Sequence, residues 1–188
     1  MIKSILLWLA LFSSPMYGQA LFHMGINYED ESVKDNTTDT SVTITRQIGT
    51  ADLGVLISPN FYLGLKYYHK NEINDQTIDI AGIKTTTSTS TLTNGAGIGL
   101  GFYTAVGPMI QLSYILEPKQ DDGTTEYSGG SGTIIDLGYR FGTDGFSFGP
   151  KLTQTSFTYK KQAIAGVETE IDITQSHLLP MLGFWFVF

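Results

Sequence analysis

The sequence of 188 residues has no cysteine, few charged residues and no long hydrophobic run beyond its first residues. An exported domain without disulfides must be held together by a sizeable core or by closure of its hydrogen-bond network. After residue 20, no segment offers the ~18 uninterrupted apolar residues that a membrane helix needs. The net charge of -7 argues against a nucleic-acid partner, which requires a basic face.

Glycine and aromatic residues are abundant instead. The chain contains 21 Gly, 11 Phe and 10 Tyr, and its mean hydropathy of +0.02 means that apolar and polar residues nearly cancel. This composition is typical of a membrane β-barrel, in which lipid-facing apolar residues alternate with lumen-facing polar ones.

The first 20 residues have the three parts of a secretory signal. Lys3 makes the start positive, residues 4–12 are mostly apolar, and Gly18 and Ala20 are small residues at the positions that a signal peptidase reads. We therefore expect residues 1–20 to be a cleaved signal peptide and residues 21–188 to form one domain. The alternative, a membrane anchor, is disfavoured because the apolar stretch is too short to cross about 30 Å of hydrocarbon.

The rest of the chain alternates with the period of two that predicts β-strands. In the first strand, Phe22, Met24 and Ile26 alternate with His23 and Gly25. About eight such segments follow one another. The second segment changes phase, so we expect a bulge within residues 49–52.

The connections between these segments are of two kinds. Tight turns are predicted at residues 58–60, 106–108 and 143–145, and long polar loops at residues 31–40, 70–90, 118–130 and 160–173. Because short and long connections alternate, an up-and-down barrel would place all short turns at one end and all long loops at the other. That asymmetry is typical of outer-membrane barrels.

The aromatic residues also divide between the two ends. Those near the termini or short turns are Phe22, Phe61, Phe102, Phe141, Phe146, Phe148, Phe184, Phe186 and Phe188, and those near the long loops are Tyr28, Tyr67, Tyr114 and Tyr159. Two aromatic belts are expected of a barrel that spans a membrane. The alternatives, a soluble barrel or a β-sandwich, need no such double belt. We therefore predict an all-β fold, an eight-stranded antiparallel up-and-down transmembrane β-barrel.

The C-terminus is the sharpest local feature. The chain ends with Phe184, Phe186 and Phe188 at every second position, which resembles the insertion signal of bacterial outer-membrane barrels. Over its whole predicted mature length, the chain resembles the small members of this group, such as OmpX, OmpW and the membrane domain of OmpA. The resemblance is one of pattern. It implies a location in the bacterial outer membrane, with outer-membrane lipid and the barrel assembly machinery as partners.

Several charged residues fall on the inward phase of the predicted strands. Asp52, Lys66, Asp136 and Lys151 each lie six or seven residues from the nearest short turn, so we expect them to meet inside the barrel, with Glu29 and Arg140 able to join above and below. An eight-stranded interior is only wide enough for side chains to fill, and buried charges must be paired. We favour a plug over the alternative, a gate in which the pairs exchange partners.

Four glycines suggest a second internal feature. Gly95, Gly97, Gly99 and Gly101 share the inward phase of one strand, and Trp185 faces inward from the last. Glycine leaves space there, which predicts either a small lumenal cavity or room for large neighbouring side chains.

The function is expected to be structural, or to be surface interaction through four extracellular loops. A narrow passive channel for small solutes is the alternative, and a lipid-modifying enzyme is a remote one. His23, His69 and His177 are scattered over three strands, so we expect no metal site and no cofactor. Only His69 suits the outer rim where a lipid-modifying histidine would lie, and no serine has a telling spacing, so we expect no enzyme. A barrel of this size needs no partner to close, which predicts a monomer.

Overall fold

A computed structural model describes residues 18–35, 40–80, 83–104, 106–143 and 145–188, so residues 1–17 of the predicted signal peptide lie outside the described residues. The described residues form nine strands: β1 (Ala20–Asp35), β2 (Thr40–Ser58), β3 (Phe61–Ile80), β4 (Ile83–Tyr103), β5 (Gly107–Asp121), β6 (Thr125–Ser128), β7 (Ser131–Gly142), β8 (Phe146–Ile164) and β9 (Val167–Val187). No helix in this part of the chain is long and apolar enough to cross a membrane. The prediction of an all-β fold is confirmed.

Eight of the strands close into a ring. Each pairs antiparallel with its neighbour in the order β1-β2-β3-β4-β5-β7-β8-β9, and β9 returns to β1 through six residues of each strand, Leu21–Ile26 on β1 and Leu182–Val187 on β9. The prediction of eight antiparallel up-and-down strands is confirmed for this ring.

The short strand β6 was not predicted and lies within the expected loop 118–130. It pairs with β5 and with β8, so it continues the position of β7 between the same two neighbours. The chain is interrupted between β6 and β7 because Gly129 has a left-handed φ of 68°. The opposite strand β5 has a matching irregularity at Glu117, whose φ is 44°.

The predicted bulge in β2 is wrong. Its register against β3 is continuous from Thr40 to Leu56 and shifts only between Leu56 and Ser58. Val42 and Ile44 share the phase of the inward-facing Asp52. The strand is unbroken. Its apolar residues lie on the inward phase in the first part of the strand and on the outward phase in the last part, which explains the apparent phase change.

Most of the polar stretches that we expected to be loops are paired strands. β3 and β4 stay in register to Ile80 and Ile83, so they form one long hairpin. Threonine favours extended backbone, and hydroxyl pairs such as Thr77 with Thr86, 2.9 Å apart, join the two strands.

The hairpin of β8 and β9 ends in a two-residue turn. Ala165 and Gly166 have φ angles of 50° and 82°, the left-handed values that a tight hairpin requires. The expected loop of residues 160–173 is therefore a strand pair joined by a two-residue turn.

The interior of the ring is layered along its axis. The apolar layer next to the short turns consists of Leu21, Leu56, Tyr62, Tyr103, Met109 and Trp185. The apolar layer towards the long hairpins consists of Ile48, Tyr68, Ile115, Ile134, Phe157, Tyr159, Leu179 and Met181. Tyr159 is thus fully buried, which corrects its assignment to an outer aromatic belt. Between the two layers lies a group of charged side chains.

The outward phase of the ring is apolar and exposed. Leu65 is 65% exposed, Leu112 56% and Leu178 62%. Phe61, with 49% exposure, and Tyr67, with 47%, lie at opposite ends of this surface on β3. Large apolar side chains therefore face outward while charged ones face the interior.

Candidate functional site: the buried charge cluster

Four charged residues meet between the two apolar layers: Asp52, Lys66, Asp136 and Lys151. We call them the charge cluster. All four side chains have no exposed surface. The structure thus brings together the four residues that the sequence predicted to converge.

The ammonium of Lys66 is shared between two carboxylates. Its Nζ lies 3.2 Å and 3.1 Å from the two oxygens of Asp52 and 2.6 Å from Oδ2 of Asp136. Asp52 and Lys66 are direct cross-strand partners on β2 and β3, whereas Asp136 reaches Lys66 across the lumen from β7. The contact therefore links opposite walls of the ring.

The second ammonium completes the balance of charge. Nζ of Lys151 lies 3.3 Å from Oδ1 of Asp136 and donates to the hydroxyl of Thr50 at 3.0 Å. The hydroxyl of Thr153 donates to the same Asp136 oxygen at 2.5 Å. Two acids and two ammonium groups balance each other, which is what burial of charge away from water requires.

Further side chains extend the cluster in ways that sequence reasoning missed. The amide of Gln111 donates to Asp52 at 2.6 Å and accepts from the hydroxyl of Tyr103 at 2.6 Å. His23 lies opposite Asp52 in register, with its Nδ1 2.9 Å from Oδ2, and its ring stacks on Trp185. The inward phase of His23 and its position opposite Asp52 were the signals in the sequence that could have placed it here.

Arg140 and Glu29 lie apart from the four central residues. Arg140 donates to the hydroxyl of Ser147 at 2.9 Å and to the carbonyl of Thr104 at 2.8 Å. Its guanidinium lies over the rings of Tyr103 and Trp185, within the apolar layer near the short turns.

Glu29 belongs to a separate group at the other end of the ring. Arg46 lies 3.2 Å from Glu29, 3.6 Å from Glu31 and 2.9 Å from Glu72. These side chains are partly exposed, and Lys70 adds a contact of 3.5 Å with Glu72. Beyond the apolar layer of the long-hairpin end, the ring therefore has a polar mouth.

Neighbouring side chains or backbone fill the space beside each of the four glycines. A Cβ added at Gly95 would meet Ile115, one at Gly99 would meet Gln111, and one at Gly101 would meet the ring of Tyr103. At Gly97 the obstacle is the backbone of Tyr114. The expectation of a lumenal cavity beside these glycines is therefore wrong, and its alternative, room for neighbouring groups, is correct.

Trp185 lies across the ring from the glycine strand, stacked on His23 at a ring distance of 4.8 Å. Phe184 and Phe186 alternate with it on the outward phase of β9, and Phe188 follows the end of that strand. Phe186 packs against Phe22 and Phe146 on the adjoining strands. The residues of the predicted insertion signal therefore line the seam at which the ring closes.

Hydrogen bonds within a single turn at the long-hairpin end lower the pKa of one carboxyl group. Asp122, in the turn between β5 and β6, accepts hydrogen bonds from the hydroxyl and amide of Thr124 and from the amide of Thr125. These bonds stabilise the carboxylate and lower the pKa of Asp122 below its usual 3.8.

The sequence matches no protein-family model, and no match was found among the curated proteins.

Proposed function

We propose that the protein is an integral β-barrel of the bacterial outer membrane, with a closed lumen and a structural or surface-interaction role. The observation that carries this proposal is the reversed placement of apolar and charged residues. Leu65 on β3 and Leu112 on β5 face outward and are exposed. Lys66, the next residue on β3, and Asp136 on β7 face the interior and are fully buried. A water-soluble ring would not gain from this arrangement, whereas lipid around the ring would make it favourable.

The height of the apolar surface supports the same proposal. On β5 every outward residue from Pro108 to Leu116 is apolar, a span of nine residues. A tilted strand needs about 9–11 residues to cross the hydrocarbon of a bilayer. Outward-facing polar side chains begin on β5 with Glu117 and Lys119, beyond this span.

The charge cluster supports a plug over an open pore. Both ammonium groups and both carboxylates have partners within the cluster, and an apolar layer lies on each side of it along the axis. The long hairpins at the other end carry many acids, including Glu31, Asp75 and Glu168. This end would be the surface available for interaction, and divalent cations would be needed to bring it close to an anionic surface.

Membrane insertion and orientation can be tested by cysteine labelling, because the chain has no cysteine of its own. Thr169→Cys on the long β8–β9 hairpin and Val106→Cys in a short turn are both at exposed positions. In intact cells, a membrane-impermeant maleimide should label Thr169→Cys alone, and both variants after the outer membrane is permeabilised. Equal labelling of both variants in intact cells, or release of the protein by alkaline carbonate, would contradict the proposal.

A narrow channel is the second candidate, favoured by the position of Lys66 between two carboxylates. An ammonium with two partners can exchange one for the other, as a gate requires. Single-channel recording in a planar bilayer separates the two candidates. A plug predicts silence in the wild type, whereas a channel predicts steady small openings that change in Lys151→Ala.

A further inference from the structure

An apolar groove of about 530 Å³ lies on the outward face of the ring. It is lined mainly by Ala51, Leu53, Leu65, Tyr67, Ala96 and Ile98. Ala51, Tyr67 and Ala96 are cross-strand neighbours on β2, β3 and β4. The groove exists because two alanines flank the larger tyrosine in a surface whose other residues are mostly leucine, isoleucine and phenylalanine.

A row of polar side chains crosses the end of the groove that is nearer to the long hairpins. His69, Asn94 and Lys119 are cross-strand neighbours on β3, β4 and β5, two residues further along than the neighbours that line the groove. Gly49 continues the row on β2, and a Cβ there would meet nothing within 4 Å. The outward surface is therefore open at the β2 end of the polar row.

The hydrogen bonds within the row determine where the NH₂ group of Asn94 points. Asn94 Oδ1 accepts from the hydroxyl of Tyr67 at 3.0 Å and lies 2.7 Å from Nδ1 of His69. An amide oxygen can only accept, so this nitrogen of His69 carries its proton. The carbonyl side of Asn94 is thereby occupied by two donors, which leaves its NH₂ group facing away from them.

Lys119 supplies the positive charge of the row. Its side chain is 66% exposed, and its ammonium lies 3.6 Å from Glu126 across the irregular end of β5. A contact of this length between exposed groups is weak, so a second anion can share the ammonium. The row thus presents an ammonium, an amide N–H and an imidazole at the edge of an apolar groove.

We propose that the groove and the polar row together bind one membrane lipid with a phosphate-bearing headgroup. The acyl chain lies over Ala51 and Ala96, beside the ring of Tyr67, and the phosphate contacts Lys119 and Asn94. This inference rests on the proposed function, because only a ring inserted in a bilayer presents the groove to acyl chains. Charge complementarity selects an anionic lipid: the row holds a cation at the border of the apolar band, where headgroups lie, in a chain whose net charge is -7.

Native mass spectrometry of the full chain in detergent, titrated with dimyristoyl phosphatidylglycerol, tests the headgroup contact. Lys119→Gln should lower the affinity about tenfold, the effect of losing one charge-assisted contact. Lys160→Gln is the matched control, because Lys160 is also an exposed lysine beside an acid, with Asp172 2.7 Å away, but lies on β8. Glu126→Gln should raise the affinity, since it removes the competing carboxylate.

The groove is tested with a pair of outward substitutions. Ala96→Phe fills it and should weaken binding, whereas Leu152→Phe on β8 adds an aromatic ring outside it and should not. Equal affinities for Lys119→Gln and Lys160→Gln, or for the two phenylalanine variants, would overturn the inference. Flotation of each variant with lipid vesicles keeps the two proposals apart. Failure of the wild type to float contradicts membrane insertion, whereas flotation without selective lipid adducts contradicts only the lipid site.

Discussion

Lys66 and Asp136 form a buried ion pair of 2.6 Å across the lumen, although they lie 70 residues apart in the chain. β3 and β7, which carry them, are not neighbours in the ring. The ion pair is therefore a cross-brace that complements the hydrogen bonds between adjacent strands. Because Lys66 also contacts Asp52, one side chain joins three strands.

Replacing Lys66 with methionine should strongly destabilise the ring. The substitution leaves Asp52 and Asp136 close together with only Lys151 to balance them, and removing one partner of a buried ion pair costs about 3–5 kcal/mol. Urea unfolding of the refolded protein in lipid vesicles measures the change. The exposed Lys160→Met should cost no more than about 1 kcal/mol, and a similar loss in both variants would contradict the bracing role of Lys66.

Replacing two glycines of the ring with alanine should have different effects on the free energy of unfolding. A Cβ at Gly97 would collide with the backbone carbonyl of Tyr114, so Gly97→Ala should lower the free energy of unfolding by about 1–3 kcal/mol. A Cβ at Gly49 meets nothing within 4 Å, so Gly49→Ala should be neutral or slightly stabilising. The same unfolding measurement compares them, and equal effects would show that the space beside Gly97 is not filled.

The sequence allowed the alternation of the strands and the meeting of the four charges to be predicted. Asp52 and Lys66 lie at equal distances from the centre of the predicted turn, and the structure pairs them directly because the register shifts by one residue between Leu56 and Ser58. The contact with Asp136 followed from its inward phase. Both predictions rest on the two-residue period, which places all three side chains on the inward phase of their strands.

Other features depend on information that is not local. The filling of the glycine strand depends on how Gln111 and Ile115 of the neighbouring strand extend into the lumen. The long hairpins were read as loops because serine and threonine are polar, yet their pairing depends on partners up to 23 residues away, as for Lys70 and Thr93. Tyr159 was assigned to the outer belt by its closeness to an expected loop, although it shares the inward phase of Lys151 on the same strand.

The turn between β5 and β6 provides a prediction about pH. The pKa of Asp122 is lowered by bonds from Thr124 and Thr125 that require the charged form. A carboxyl group with a lowered pKa in the folded protein stabilises the turn above its unfolded pKa, near 3.8, and this contribution disappears as the pH falls through the folded value. NMR titration should find the pKa of Asp122 below 3.8.

Thr124→Ala is the matching test of that cause. It removes the hydroxyl donor and keeps the backbone amides, so the pKa of Asp122 should rise part of the way towards 3.8. An unchanged titration of Asp122 in Thr124→Ala would show that the hydroxyl does not stabilise the carboxylate.

Lipid contact of the outward phase is the central claim, and spin labels on β5 test it most directly. Ile110, Leu112 and Tyr114 face outward with exposures of 49%, 56% and 46%, and each can be replaced by a labelled cysteine in a chain that has no other. In lipid vesicles, the account predicts that all three labels collide with dissolved oxygen and are shielded from a water-soluble nickel chelate, whereas a label at Thr169 shows the reverse. Free collision of the nickel chelate with the label at Leu112 would contradict a membrane-spanning ring.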